Sequence, residues 1–145
     1  MLKKSVQIYT DGACRGNPGI GGWGASLQYN GTKKEIYGGE LETTNNRIEL
    51  TAVIEALKLL KVPAELTINR DSKYVVSGIN ECLPNWKKRN WKTASRKPVK
   101  NVDLWQQLDA LAQPHTIKWV WVKGHSGNVG NDRADELANM GIDSL

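Results

Sequence analysis

Hydrophobic periodicity first changes along this chain near residue 43, from that of strands to that of a helix, and that change limits the folds open to it. Ser5–Thr10 alternates, with Val6, Ile8 and Thr10 on one side, the period of a half-buried strand. Asp11-Gly12 reads as its end, and the six glycines of residues 12–24, with Pro18, read as a turn-rich connection. Trp23–Tyr29 and Lys34–Glu42 read as two further strands about Asn30-Gly31, a hairpin signal. From Thr44 the spacing becomes helical. Ile48, Ala52, Ala56 and Leu59 recur at steps of four, four and three, so a helix is expected over Thr44–Leu60, closed before Pro63.

Leu66–Arg70 then reads as a short strand, and Ser72 can cap a helix carrying Val75, Val76 and Ile79. Asn101 can cap another, with Trp105, Leu108, Leu111 and Ala112 on one face. Thr116–Val122 is an apolar strand, and a last helix shows Ala134, Leu137 and Ala138 at helical spacing and stops at Gly141. Strands opening as hairpins, followed by alternating helix and strand, imply an α/β fold with a mixed sheet, antiparallel first and parallel later.

The 145 residues suit one domain spanning 1–145, with no repeat, linker or low-complexity segment. No apolar run approaches the ~20 residues of a membrane helix, and the N-terminus carries no secretory apolar region, so a cytoplasmic location is expected. Cys14 and Cys82 form no metal motif and read as two reduced thiols. The net charge of +5 is unevenly spread. Residues 85–101, NWKKRNWKTASRKPVKN, hold seven cations and no acid, which leaves the rest of the chain at −2. A basic block on a slightly acidic body is the pattern of a polyanion contact.

Four acids each stand at the end of an element. Asp11 follows the first strand and Asp71 the fourth, and in open α/β sheets ligands bind beyond the carboxyl ends of parallel strands. Glu49 lies early in the long helix and Asp135 early in the last one. Such a set is repulsive unless cations occupy it. Two hard divalent ions about 3.5–4 Å apart would neutralise it and drive in-line attack at a phosphodiester. Each acid also has a plainer reading. Asp11 before Gly12 is a turn pair, Asn46 with Glu49 has capping-box spacing, and Asp71 and Asp135 are acids at helix starts. Spacing alone does not bring the four together.

Five segments, YTDGACRGNPGIGGWG at 9–24, TTNNRIEL at 43–50, DSKYV at 71–75, NWKKRNWKTASRKPVKNVDLW at 85–105 and WVKGHSGNVGNDRADELA at 121–138, closely resemble bacterial ribonuclease H of type 1. The resemblance runs from about Lys4 to Met140. It implies the ribonuclease H-like fold, a five-stranded mixed sheet flanked by helices. The implied activity is endonucleolytic cleavage of the RNA strand of an RNA–DNA hybrid by two metal ions, Mg²⁺ with Mn²⁺ as a substitute, leaving 5′-phosphate and 3′-hydroxyl ends. It places the metal-binding carboxylates on Asp11, Glu49, Asp71 and Asp135, and a catalytic histidine on His125. That residue sits in a Gly124-His-Ser-Gly127 loop with an ordinary pKa of about 6.5, suited to proton transfer. His115, after Pro114, reads as structural.

By the same resemblance Cys14, Gly16, Asn17, Asn45 and Asn46 border a minor groove that displays 2′-hydroxyls. Thr44 and Asn101 hold a phosphate of the DNA strand. Lys73 lies near the minor groove where Gln is familiar. Residues 85–101 resemble the family's basic protrusion, in which Trp86 and Trp91 interleave with Lys87, Lys88, Arg89 and Lys92, their rings packing on sugars or stiffening the loop. The RNA–DNA hybrid is then the partner, and a monomer is expected. Three positions depart from the pattern. Glu42 stands where many relatives carry Arg, which weakens the phosphate pocket. Lys73 replaces Gln. Arg70 replaces Ser or Thr before Asp71, where it either offsets the cluster's negative charge or, as strand alternation suggests, points to the other sheet face. One rival is another nuclease of the same fold. Another is a hybrid-binding module without catalysis, whose signature is the loss of one acid; all four are present.

Overall fold

A computed structural model describes residues 4–16, 18–70, 75, 77–92, 96–121 and 129–145. Five strands, β1 (Lys4–Arg15), β2 (Gly19–Tyr29), β3 (Thr32–Thr43), β4 (Ala64–Arg70) and β5 (Thr116–Trp121), form one sheet in the order β3-β2-β1-β4-β5. The first three pair antiparallel, whereas β1–β4 and β4–β5 are parallel. The helices are α1 (Asn45–Lys58), α2 (Leu83–Lys88), α3 (Val102–Ala112) and α4 (Val129–Asp143), with a π-helical turn over Gly78–Cys82 before α2. The mixed sheet expected from the sequence is therefore present, with Asn30 and Gly31 at positive φ in the β2–β3 turn.

Several boundaries move. β1 does not end at Asp11-Gly12 but continues to Arg15, and Asp11 pairs with Gly24 inside the ladder. The glycine-rich stretch is mostly strand rather than a connection, because helices press on it. A Cβ at Gly24 would lie 2.6 Å from the carbonyl oxygen of Ala134, and one at Gly12 would lie 2.8 Å from Ile48 Cγ2. Gly141 does not stop α4, which runs to Asp143. It lets the helix meet the backbone of Gly38 on β3. α1 starts after Thr44, whose hydroxyl accepts the Arg47 amide at 3.2 Å, so the cap is Thr44 and not an Asn46–Glu49 box. Asn101 occupies the N-cap position of α3 in the left-handed region, and its side chain does not cap that helix. The Ser72 cap and Val76 lie outside the described residues.

The core fills the face of the sheet beneath α1 and α3. Val6, Ile8, Leu66 and Ile68 from the sheet meet Leu50, Val53, Ile54 and Leu57 of α1, and Leu104, Trp105 and Leu108 of α3. α4 packs on the other side of β1, β2 and β3 through Ala134, Leu137 and Ala138. This division matters for the site, because it sends helix acids toward the sheet edge from both faces.

His115 behaves as structural. Its Nδ1 accepts the Ala64 amide at 3.1 Å, and burial pushes its pKa below the ordinary value. The fold favours the neutral ring. The stability this contributes is complete above about pH 6.5, the unfolded value, and is lost as pH falls through the lower folded value. His115→Asn, which keeps an acceptor for Ala64, is expected to flatten the fall in thermal midpoint below about pH 6.5. A midpoint-against-pH curve superimposing on that of the unsubstituted protein would contradict this.

Candidate active site

The parallel pairing of β1 and β4 sets the site. The ladder ends with Thr10 opposite Arg70, so Asp11 comes next beyond the pair on one strand. Asp11 is buried at 5% exposure, which excludes the exposed turn reading. Its ladder partner Gly24 lies under Ala134 and Leu137 of α4. Cross-strand partners share a face of the pleat, so Asp11 faces the helix that carries Asp135.

Glu49 arrives from the opposite face. The fifth residue of α1, it is 9% exposed and reaches the same rim. The Gly12 amide donates to Asp11 Oδ1 at 2.9 Å and to Glu49 Oε1 at 3.3 Å. One N–H thus joins two carboxylates 38 residues apart in sequence. Close approach of Gly12 to α1 permits this: a Cβ there would sit 3.0 Å from the Glu49 amide nitrogen. Two carboxylates drawn to one donor repel one another, and hard cations relieve such repulsion.

Arg70 resolves one open question. Its side chain is fully buried, with Nη2 donating to Glu49 Oε2 at 2.7 Å and Nη1 donating to Thr10 Oγ1 at 2.7 Å. It therefore lies on the α1 face, opposite the face that Asp11 takes, as strand alternation suggests, and still offsets the cluster's charge through Glu49. Residue 70 follows Leu66 and Ile68 in a period of two, and both face α1. Removing one partner of a buried pair of this kind typically costs about 3–5 kcal/mol.

Asp135 is half-buried in the second turn of α4. Asp71, Lys73, Asn17 and His125 lie outside the described residues. Among the described residues, no three His, Cys, Asp or Glu side chains gather as a metal cluster. The structure thus brings Asp11 and Glu49 together and points Asp11 toward the helix of Asp135.

A second constellation forms beside α1. Arg47 donates its amide to Thr44 and its Nη1 to Asn101 Oδ1 at 3.3 Å, and pairs with Asp103 through both carboxylate oxygens at 3.1 and 2.8 Å. This holds the Asp103 carboxyl below the usual carboxylate range. Thr44 and Asn101, 57 residues apart in sequence, are joined by one residue that sequence reasoning passed over. Its signal was there: Arg47 is the sole cation of TTNNRIEL, three residues after the cap. Asn45 is exposed and Asn46 half-buried at the start of the same helix. Cys14 donates to the carbonyl of Gly16 at 2.6 Å, and Gly16 has φ +91° in the β1–β2 turn. Both cysteines are free thiols.

In the basic segment Trp86 packs inward, edge to face with Trp105 at 5.3 Å, and Trp91 also lies against the core. Both stiffen the loop. Lys87 pairs with Asp109 at 3.3 Å, whereas Lys88, Arg89 and Lys92 are exposed.

The RNase H family model matches residues 3–143. The chain belongs to the RNase H family. Among curated relatives, the Ribonuclease H of Alcanivorax borkumensis is 64% identical over 142 residues, covering 98% of this chain and 94% of that protein. Members of the family are endoribonucleases, and this chain is one. The fold agrees. A type 1 RNase H with the type 2 active-site motif, LC9-RNase H1, superposes with a TM-score of 0.89 at 30% identity, covering 99% of this chain and 74% of the other. LC11-RNase H1, solved in complex with RNA/DNA hybrid, superposes with a TM-score of 0.74 at 28% identity, covering 96% and 97%. Among the described residues, no helix is long and apolar enough to cross a membrane.

Proposed function

We propose that this single-domain RNase H hydrolyses the RNA strand of RNA–DNA hybrids with the help of two divalent cations, Mg²⁺ or in its place Mn²⁺. The observation that carries the reading is the Gly12 amide shared by Asp11 and Glu49 just beyond the end of the parallel β1–β4 ladder. That donor set is entirely hard oxygen, which suits Mg²⁺ and Mn²⁺ rather than softer metals. Asp11, Glu49, Asp71 and Asp135 are the residues that would hold the ions. When bound, such cations supply charge neutralisation and an activated water at the scissile phosphate.

The remaining work falls to the chain. Burial of Asp11 and Glu49 and the shared amide fix where their oxygens lie before substrate arrives. A bond forms from the water oxygen to phosphorus as the bond to the 3′-oxygen breaks, which leaves a 5′-phosphate and a 3′-hydroxyl. The proton that the 3′-oxygen needs is the proposed task of His125. Thr44 and Asn101, gathered by Arg47, are assigned to one phosphate of the DNA strand. Cys14, Gly16, Asn17, Asn45, Asn46 and Lys73 border the RNA minor groove. The family membership and the hybrid complex of LC11-RNase H1 support this substrate.

The deciding experiment is cleavage of end-labelled RNA in a hybrid with Mg²⁺, beside duplex RNA, duplex DNA, single strands and an EDTA control. Cutting confined to the hybrid and lost in EDTA is expected. Comparable cleavage of duplex RNA would overturn the substrate reading.

The basic segment is assigned to binding. Contacts remote from the scissile bond act equally on ground and transition states, so they lower KM and spare kcat. Lys87 is already paired with Asp109, so among the four cations interleaved with Trp86 and Trp91 the exposed Lys88, Arg89 and Lys92 are the ones to replace. Replacing these three together by Ala is expected to raise KM, leave kcat near its starting value and flatten the slope of log affinity against log salt by up to about three units, by analogy with B-form DNA. Steady-state kinetics from low to moderate salt provide the check. A lost kcat at constant KM would move the segment into the chemistry.

A further inference from the structure

Among the described residues Arg70 is the only buried cation. Its position follows from register. Opposite Thr10 at the end of the β1–β4 ladder, it shares a face with Leu66 and Ile68 and so points at α1, where Glu49 waits. The consequence is a division of the Glu49 carboxylate. Oε2 takes Arg70 Nη2 at 2.7 Å, while Oε1 takes the Gly12 amide beside Asp11. Arg70 Nε has no hydrogen-bond partner among the described residues, so Thr10 and Glu49 are the guanidinium's hydrogen-bonding anchors there.

We propose that Arg70 is an internal counter-ion of the carboxylate cluster, which holds Glu49 by one oxygen, stabilises the cation-free fold and weakens capture of divalent cations. It is a positioning residue, acting through Glu49. The proposal rests on the reading of Asp11 and Glu49 as cation ligands. A fixed positive charge beside Glu49 offsets one unit of the cluster's charge at all times. Without a cation it relieves the repulsion between Asp11 and Glu49; toward an incoming divalent ion the same charge is repulsive. A Ser or Thr at position 70 would leave both carboxylates uncompensated until an ion arrived.

Two measurements test this on the intact chain. The first is thermal unfolding in EDTA of the unsubstituted protein and Glu49→Gln. If the two acids merely repel one another, Glu49→Gln raises the midpoint. If Arg70 is the counter-ion, the substitution strands a buried cation and lowers the midpoint, by roughly 5–15 °C. A rise, or no change, overturns the proposal without any reference to metal. The second is calorimetric titration with Mg²⁺ alone of the unsubstituted protein, Arg70→Met and Arg70→Lys. Arg70→Met is expected to bind Mg²⁺ more tightly by about tenfold or more, and Arg70→Lys, which keeps the charge, to bind much as the unsubstituted protein does. Equal affinity in all three overturns the weakening of capture. If Arg70→Met does not fold, the EDTA comparison still decides the counter-ion. No Mg²⁺ binding by any form counts against the cation reading of the cluster, and the sign in EDTA again decides Arg70 separately.

Discussion

Asp11→Asn is expected to reduce hybrid cleavage to below a few per cent while leaving the far-ultraviolet circular dichroism unchanged. The substitution is nearly isosteric and keeps an oxygen for the Gly12 amide, which now meets Asp11 Oδ1 at 2.9 Å. What it removes is the charge, in a buried position where no solvent replaces it. On the proposed reading the two carboxylates around this amide seat cations, so removing one of their charges strikes the chemistry rather than the fold. His125→Ala provides a contrast within the same proposal. A proton-transfer group contributes about 10²–10⁴-fold, so that variant is expected to slow turnover, alter its pH profile and still bind Mg²⁺. Full activity of Asp11→Asn would remove this residue from the metal site. A pH profile untouched by His125→Ala would remove the histidine from proton transfer.

Gly22→Val is expected to cost stability on a comparable scale, with no residue of the site touched. Any Cβ at Gly22 would collide with the Ala138 carbonyl oxygen and stand 2.7 Å from the Ile142 amide nitrogen. Those are backbone atoms of α4, which cannot rotate away as a side chain does. The helix must lift from the sheet, and the buried faces of Ala134, Leu137 and Ala138 lift with it. Overpacking typically costs about 1–3 kcal/mol, and a β-branched side chain against helix backbone belongs at or above the top of that range. Asp135 rides on the same helix, so activity is expected to fall along with the thermal midpoint. Gly31→Asn is the matched control. Gly31 has nothing within 4 Å of its missing Cβ, and Asn accepts the left-handed conformation its φ of +81° demands. Its midpoint is expected to stay near that of the unsubstituted protein. Equal midpoints for Gly22→Val and Gly31→Asn in thermal unfolding would mean that α4 does not rest on bare backbone.

Much of the site could be read before the fold. Glu49 stands early in the long helix as expected, and the parallel β1–β4 pair, whose ladder stops just before Asp11, follows from the order of elements. The errors share a cause. Asp11-Gly12 looked like a turn, residues 12–24 like a connection and Gly141 like a helix stop, because glycine is a conformational signal to anyone reading one residue at a time. In the fold these glycines serve close approach, of α1 to β1 and of α4 to β2 and β3. Asn101 looked like a side-chain cap for the helix that follows it, yet its side-chain Oδ1 accepts from Arg47 on another helix.

The alternation of apolar residues, the helical spacing after residue 44 and the local hairpin chemistry are interactions between near neighbours. They alone determined the elements, their order and the mixed sheet. That Arg70 meets Glu49, that Gly12 serves two acids at once and that Arg47 draws Thr44 to Asn101 are contacts between residues tens of positions apart. Short-range pattern carries no information on such pairs, because each depends on register between strands and on how closely a helix can approach a sheet. Only the tertiary structure decided them. The buried Arg70–Glu49 pair is the sharpest case: alternation gave Arg70 its face, but not the partner 21 residues earlier in the chain that reaches it there from α1.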